Sequence, residues 1–460
     1  MRVAIQALGA TALGVTVGVS TAIVLVAAER PGPLSGPAQH GFPSWMVGPL
    51  AHRLPGLPDS PPMLQADVTR ALAVMGIAWL VALACAWRMP SPLVWAAVTA
   101  AQVVLLLGPP FSLTDVFNYL HYGRMPATYG LNPYVALPLA ARADPAYRFS
   151  NWHHLPSPYG PLFTLFTEAL APLSLPVASW LWKGVLLGAS LGTLAVVARA
   201  ARRMGRSPQA AVVLVGLNPL VLVYGIGGEH NDALMVLCGA GAVALALAGR
   251  DEPERPWLDA GAGACAVLAA GFKPSAVLLA PLVVLGCRRR LHALAGAGAA
   301  GALVLAVVVL AYGGHLPSTG VQERLVNPLS VPNVLAALAG HGGLTPHDRG
   351  LAHAALGLAA VAAAAVVAWR RAWLPGAAGL IMLAGVLTLG WTMPWYVWWV
   401  LPFAAIARTR ALAAACVVLT AWLALGAIPQ LPKLIHSFGY YPTRSVAGRT
   451  NHLYTERYLK

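Results

Sequence analysis

Apolar runs separated by short polar or basic clusters fill this chain from its first residues to about position 428. The runs are ~15 to 20 residues long and rich in Ala, Leu and Val, the length of helices that cross a bilayer. A transmembrane β-barrel would instead alternate over segments of ~10 residues. In lipid the backbone must satisfy its own hydrogen bonds, which leaves helices as the spanning element here. The pattern predicts an all-α polytopic membrane protein with about 13 transmembrane helices. They lie near 3–28, 68–87, 92–110, 178–198, 208–224, 232–249, 257–271, 274–287, 292–312, 351–369, 375–390, 395–407 and 411–428. The opening MRVAIQALGATALGVTVGVSTAIVLVAAER has a positive end and a run longer than a signal-peptide core, so it reads as a first helix.

Basic residues give the topology. With a cytoplasmic N-terminus, alternate loops should carry Lys and Arg. They carry Arg88, then Arg199, Arg202, Arg203 and Arg206, then Arg250 and Arg255. Further along come Arg288 to Arg290, Arg370 with Arg371, and Arg408 with Arg410. The parity holds if the short runs 161–173 and 331–340 are interfacial or re-entrant helices on the outer face. The chain then divides into three helices over 1–110 with a Pro-rich outer loop at 29–67, and an extracytoplasmic loop with an interfacial helix at 111–177. A helix bundle over 178–428 and a polar, basic tail at 429–460 follow. Parity puts the tail outside, against the sign of its Lys433, Arg444, Arg449, Arg457 and Lys460. It also brings 111–158, 225–232 and 313–350 to the outer side, together with Lys273 and the Met393–Tyr396 cluster.

Composition agrees. Charged residues are 10% of the chain, against roughly 25% in soluble domains. The net charge of +15 falls in the loop clusters, so it marks orientation in a membrane rather than nucleic-acid binding. Five cysteines lie in or beside apolar runs without a CxxC pair, which indicates neither a disulfide framework nor a thiolate metal site.

With only 15 acidic residues, each can be weighed. Asp251, Glu252, Glu254 and Asp259 share a basic cytoplasmic loop. Asp115 follows the third span closely, where a carboxylate is costly unless partnered. It suits a general base facing a desolvated pocket, although Thr114 or Asp115 could equally cap a helix through Phe117–Tyr122. His153, His154 and Tyr159 in NWHHLPSPYGPL are candidates for binding a phosphate or a sugar. Neighbouring side chains rarely converge on one ion, so metal is not indicated. In GGEHND, glycines let backbone approach a ligand and a helix N-terminus follows. This makes Glu229, His230, Asn231 and Asp232 candidates, against the plainer reading of a capped hairpin with Asp232 as its first-turn acid. Lys273 in GFKPS either snorkels or binds phosphate. Trp395 and Tyr396 in TMPWYVWW form either an aromatic belt or a surface for sugar rings.

The ordered set SLTDVFNYLHYGRM, GLNPY, NWHHLPSPYGPL, NPLVLVYGIGGEHND, GFKPS and PWYVWW resembles the actinobacterial polyprenol-phosphomannose-dependent α-1,6-mannosyltransferases of the GT-C superfamily, over about residues 110–405. The resemblance implies a GT-C-like bundle in the plasma membrane, with Asp115 at the position of the catalytic acid in the first large extracytoplasmic loop. The second position of a DxD pair is Phe117 here, which leaves a carboxylate-pair metal site without support. Asp115 would deprotonate the 6-hydroxyl of an acceptor mannoside, with inversion at a mannosyl unit leaving polyprenyl phosphate. His153, His154, His230 and Lys273 are the candidates for the phosphate, and Tyr119, Arg124, Trp395 and Tyr396 for the acceptor. The donor is a co-substrate and no further cofactor is implied. A transferase using a lipid-linked arabinofuranose or glucose would share these motifs. A lipid-linked sugar transporter would show internal repeats and polar groups at mid-depth, and neither is seen. The acceptor itself, a lipomannan core, another mannolipid or a surface protein, is not legible.

Overall fold

The computed structural model describes residues 1–29, 34, 43–53, 61–112, 115–441, 448–449, 452–453 and 456–457. Thr114, much of the 29–67 linker and much of the tail lie outside the described residues. The first part of the chain forms α1 (Arg2–Glu29), α2 (Ser44–Val47), α3 (Pro61–Cys85), α4 (Ser91–Leu106), α5 (Asp115–Tyr129) and α6 (Pro161–Ala169). The middle forms α7 (Leu175–Arg203), α8 (Pro208–Gly216), α9 (Asp232–Asp251), α10 (Pro256–Phe272), α11 (Leu279–Gly286) and α12 (Arg290–Tyr312). The last part forms α13 (Val331–Leu338), α14 (Pro346–Trp369), α15 (Leu374–Thr388), α16 (Leu401–Ile406), α17 (Arg410–Ala427) and α18 (Leu431–Ser437). No strand occurs among the described residues.

Among the described residues, eight helices are long and apolar enough to cross a membrane: α1, α3, α7, α9, α12, α14, α15 and α17, with α3 and α15 extended by a flanking turn. Shorter apolar helices occupy 91–106, 256–272, 274–286 and 394–406. This is a polytopic, all-α, multi-pass membrane protein. Leu303, Leu305 and Leu310 of α12, and Leu358 and Val361 of α14, face outward. Such exposure suits helices surrounded by hydrocarbon. Inside, α9 runs between α7 and α10, α10 lies along α12, and α1 packs on α3 and α4.

Three segments expected as single spans are interrupted, and each break has a cause. In 208–224, α8 stops at Gly216 and a wider-turned helix, Val221–Ile226, follows. Pro219 lacks a backbone donor and cannot continue the helix. Asn218 takes over locally: its Oδ1 accepts from the Leu220 and Val221 N–H groups at 3.0 and 3.3 Å, and its Nδ2 donates to Thr420 Oγ1 at 2.9 Å. Pro274 opens a tight turn ahead of α11, and Pro394 does the same ahead of α16. Irregular backbone at membrane depth is tolerated where protein encloses it, and every residue from Leu217 to Asn231 is buried.

The two short runs assigned to the interface are short helices, α6 and α13. Helix α5 crosses α6 at Gly123, where a Cβ would meet the Thr167 carbonyl oxygen at 2.5 Å. The 151–160 loop is pressed on the α10 hairpin at Gly160, where a Cβ would lie 2.2 Å from Gly271 O and 2.6 Å from Phe272 O. Both neighbours are backbone and cannot give way. Gly160→Ala is therefore expected to lose at least about 1–3 kcal/mol, read as a lower melting temperature in detergent. Gly298→Ala, with nothing within 4 Å of the new Cβ, should hold or raise it.

Candidate active site

Helix α5 begins at Asp115, so its first turn carries Asp115, Asn118 and Tyr119 into the interior. Asn118 staples this turn to the 151–152 loop. Its Oδ1 accepts from the Asn151 and Trp152 N–H groups at 3.1 and 3.3 Å, and its Nδ2 donates to Asn151 Oδ1 at 2.8 Å. The same Nδ2 lies 3.3 Å from Asp115 Oδ1. The other carboxylate oxygen is 3.5 Å from His230 Nδ1. Tyr119 reaches that ring nitrogen at 3.4 Å, and its oxygen accepts from the Asn231 N–H at 3.4 Å. The GGEHND turn thus completes the surroundings of Asp115.

Behind His230 stands Trp395, stacked with a centroid separation of 3.4 Å and an interplanar angle of 11°. Trp395 Nε1 donates to Asp232 Oδ2 at 3.2 Å, Trp399 Nε1 donates to Asp232 Oδ1, and Lys273 Nζ sits 2.7 Å from Oδ1. Both oxygens of Asp232 are committed to donors. It is a hub that fixes two indoles of the 395–407 segment and the lysine just ahead of Pro274.

These groups wall a cavity of about 550 Å³. One side carries Asp115, Tyr119, Trp152, Tyr159, His230 and Asn231. Lys273, Trp391, Trp395 and Tyr396 continue the wall, and Gln322, Glu323, Arg349 and His353 also line it. Trp152 and Tyr159 stand parallel within 5°, 6.0 Å apart, and Trp391 is 6.5 Å from Trp152. Tyr159 Oη, Asn231 Nδ2 and Gln322 Oε1 are buried polar atoms without a hydrogen-bond partner among the described residues. Polar groups inside proteins are ordinarily satisfied, so orphans gathered on one cavity mark a place for a polar ligand. Burial, and then the charge on Asp115, push the Tyr119 and Tyr159 hydroxyls well above the usual tyrosine value. Both remain O–H donors at neutral pH.

Of the residues singled out from sequence, Asp115, Tyr119, Tyr159, His230, Asn231, Asp232, Lys273, Trp395 and Tyr396 line this cavity. His153, His154, Glu229 and Arg124 are not on its wall. The turn at 152–155 gives the cavity Trp152 and sends His153 onto the Tyr147 ring at 3.9 Å, with His153 Nε2 3.0 Å from Tyr147 O. Arg124 ion-pairs with Asp144 at 2.7 Å and donates to Ala171 O at 2.7 Å, which fixes α5 to the end of α6. Glu229 pairs with Lys183 at 3.4 Å, behind the turn. The reading from sequence passed over Asn118, Trp391, Trp399 and Lys183. Asn118 was findable, because i and i+3 share a helix face. Lys183 was too, as a charge within an apolar span.

A family model described as alpha-(1->6)-mannopyranosyltransferase, N-terminal domain, matches residues 15–289. The chain belongs to this mannopyranosyltransferase family. It is similar to alpha-(1->6)-mannopyranosyltransferase A of Mycobacterium tuberculosis, 28% identical over 355 residues, 69% of this chain and 66% of the relative. The protein of the same name from Corynebacterium glutamicum is 26% identical over 275 residues, 52% of this chain and 53% of the relative. Alpha-(1->6)-mannopyranosyltransferase B of that organism is 30% identical over 162 residues, 32% of this chain and 26% of the relative. The matched part of the chain spans 66% or less of the length of these relatives. No solved structure matches the chain. The matched family region holds α5, the 151–160 loop, the GGEHND turn and Lys273, whereas Trp395 and Trp399 lie beyond it.

The hub yields a test independent of catalysis. Asp232→Asn leaves Lys273 without its counter-charge and should destabilise the protein by about 3 kcal/mol, the low end for breaking a buried pair. Melting curves in detergent should show this loss, and Asp232→Asn with Lys273→Met should recover most of it.

Proposed function

We propose that this member of the mannopyranosyltransferase family transfers a mannosyl unit from a polyprenyl phosphate carrier to the 6-hydroxyl of an acceptor mannoside. The transfer takes place at the outer face of the membrane, with inversion, and Asp115 is the general base. The observation that carries the reading is the setting of Asp115: a carboxylate beside His230, on the wall of a cavity whose buried Tyr159, Asn231 and Gln322 atoms lack protein partners. Family membership supplies the sugar, and the alternation of basic loops supplies the face.

The acceptor oxygen attacks the anomeric carbon as the bond from that carbon to the phosphate oxygen breaks. The hydroxyl proton passes to Asp115, and the electron pair of the broken bond leaves on polyprenyl phosphate. One base suffices for a single displacement, and a β-linked donor gives an α-linked product. Asn118 and His230 hold the two carboxylate oxygens, so Asp115 meets the acceptor in a fixed orientation, the condition for efficient proton transfer. Charge on the leaving phosphate calls for cations placed in advance. Lys273 and Arg349 are the Lys and Arg side chains on the cavity wall. The orphaned Tyr159 hydroxyl and Asn231 amide are donors for sugar hydroxyls, and the Trp152 and Trp391 rings offer faces for the sugars. The exposed apolar flank of α14, which carries Arg349 at its first turn, suits a carrier chain that remains in lipid.

Membranes containing the wild type or Asp115→Asn, given radiolabelled polyprenyl phosphomannose and an α-1,6-mannoside, should differ by at least about a hundredfold in transfer, the lower range for loss of a general base. The variant should insert and melt normally. Transfer that survives in the variant would remove Asp115 from its role. A wild type active only with a lipid-linked arabinofuranose or glucose would replace the donor sugar and leave the base in place.

A further inference from the structure

The buried pair Lys183 and Glu229 takes no part in the chemistry above, and neither side chain reaches the cavity. Both are almost fully enclosed, at 4% and 2% exposure of their side chains. A lysine in the interior of a spanning helix is costly and calls for an explanation. Its neighbours supply one. Lys183 Nζ lies 3.4 Å from Glu229 Oε1 and also donates to the Gly108 carbonyl at 2.7 Å. Gly108 begins the segment that runs to Asp115, and Glu229 immediately precedes His230. One ammonium therefore ties the chain that carries the base to the chain that carries its imidazole partner.

The neighbouring contacts reinforce that tie. The Phe111 N–H donates to Gly227 O at 2.8 Å, and a Cβ at Gly227 would lie 2.4 Å from the Phe111 ring, so the two segments are in close apposition. Trp182 Nε1, next to Lys183 on α7, donates to the Glu229 carbonyl at 3.0 Å. Glu229 itself has a φ of +57°, in the left-handed region. A non-glycine residue there costs roughly 1–2 kcal/mol and persists only when its surroundings hold it. Lys183 holds its side chain and Trp182 its carbonyl, beside the turn's own bonds from the Glu229 N–H to Ile226 O at 3.0 Å and from the His230 N–H to Gly225 O at 3.1 Å. Loss of the Lys183 contact would loosen the turn that delivers His230 to 3.5 Å from Asp115.

We propose that Lys183 and Glu229 are positioning residues, a buried latch that sets the GGEHND turn against the segment leading into Asp115 and so fixes His230 on the base. The inference rests on the reading of Asp115 as general base. Removing one partner alone would leave a bare buried charge and confound folding with positioning. The informative variant is Lys183→Met combined with Glu229→Gln, which removes both charges together. A melting curve near that of the wild type establishes that it folds. Its kcat is expected to fall roughly a hundredfold, the cost of a displacement of about 1 Å at a reacting group, with KM for donor and acceptor unchanged. A second readout needs no turnover: the ring-carbon resonances of His230, followed by carbon NMR of histidine-labelled protein in micelles and assigned with His230→Gln, should move in the double variant as the ring shifts against Asp115 and the Trp395 face. Wild-type kcat in the folded double variant, a loss confined to KM, or unmoved His230 resonances would each overturn the latch. A wild type that transfers no lipid-linked sugar would defeat the proposed function instead, and the NMR arm would still decide the latch.

Discussion

A carboxylate at the edge of an apolar bundle must be partnered, and this requirement shapes the centre of the molecule. Asp115 opens a helix, so its own backbone offers it a favourable place. Its oxygens nevertheless need fixed neighbours, and two distant parts of the chain provide them. Asn118 comes from the same helix and is itself held by the 151–152 loop. His230 comes from a turn more than a hundred residues away, backed by the Trp395 ring and by the Asp232 hub. The interrupted helices follow from the same need. Breaks in spans present a turn, a lysine and an indole near one point, and protein encloses the break ahead of His230, where every residue from Leu217 to Asn231 is buried.

Much of this was legible in the sequence because membrane helices write themselves plainly. Apolar run length placed the helices, and the elements lie close to the predicted ranges from 3–28 to 411–428. The three interruptions were signalled by Pro219, Pro274 and Pro394, but an apolar run reads the same whether or not a proline has broken it. Scarcity of charge brought Asp115, the GGEHND turn and Lys273 forward together, and the cavity gathers all three.

The direction of a side chain was not legible. His153 and His154 stand beside Trp152 in sequence, yet a turn decides which of the three meets the cavity, and it presents Trp152. Glu229 and His230 are likewise adjacent, and the left-handed backbone at Glu229 sends one carboxylate back to Lys183 and one imidazole forward to Asp115. From sequence Asp232 read as a ligand-binding candidate or as the first-turn acid of a helix. Its lysine lies 41 residues further along the chain and its two indole donors 163 and 167, so the fold alone brings them to it.

A single displacement at the anomeric carbon, assisted by one carboxylate, inverts the configuration there, so the product's anomeric configuration decides whether Asp115 works in this way. Purified protein in lipid would be given a β-linked polyprenyl phosphomannose labelled with carbon-13 at the anomeric position, together with an α-1,6-mannoside acceptor. The one-bond carbon–proton coupling of the new linkage then reports its configuration. The account predicts an α-linked product. A β-linked product would mean net retention, which a single base cannot deliver, and would contradict it.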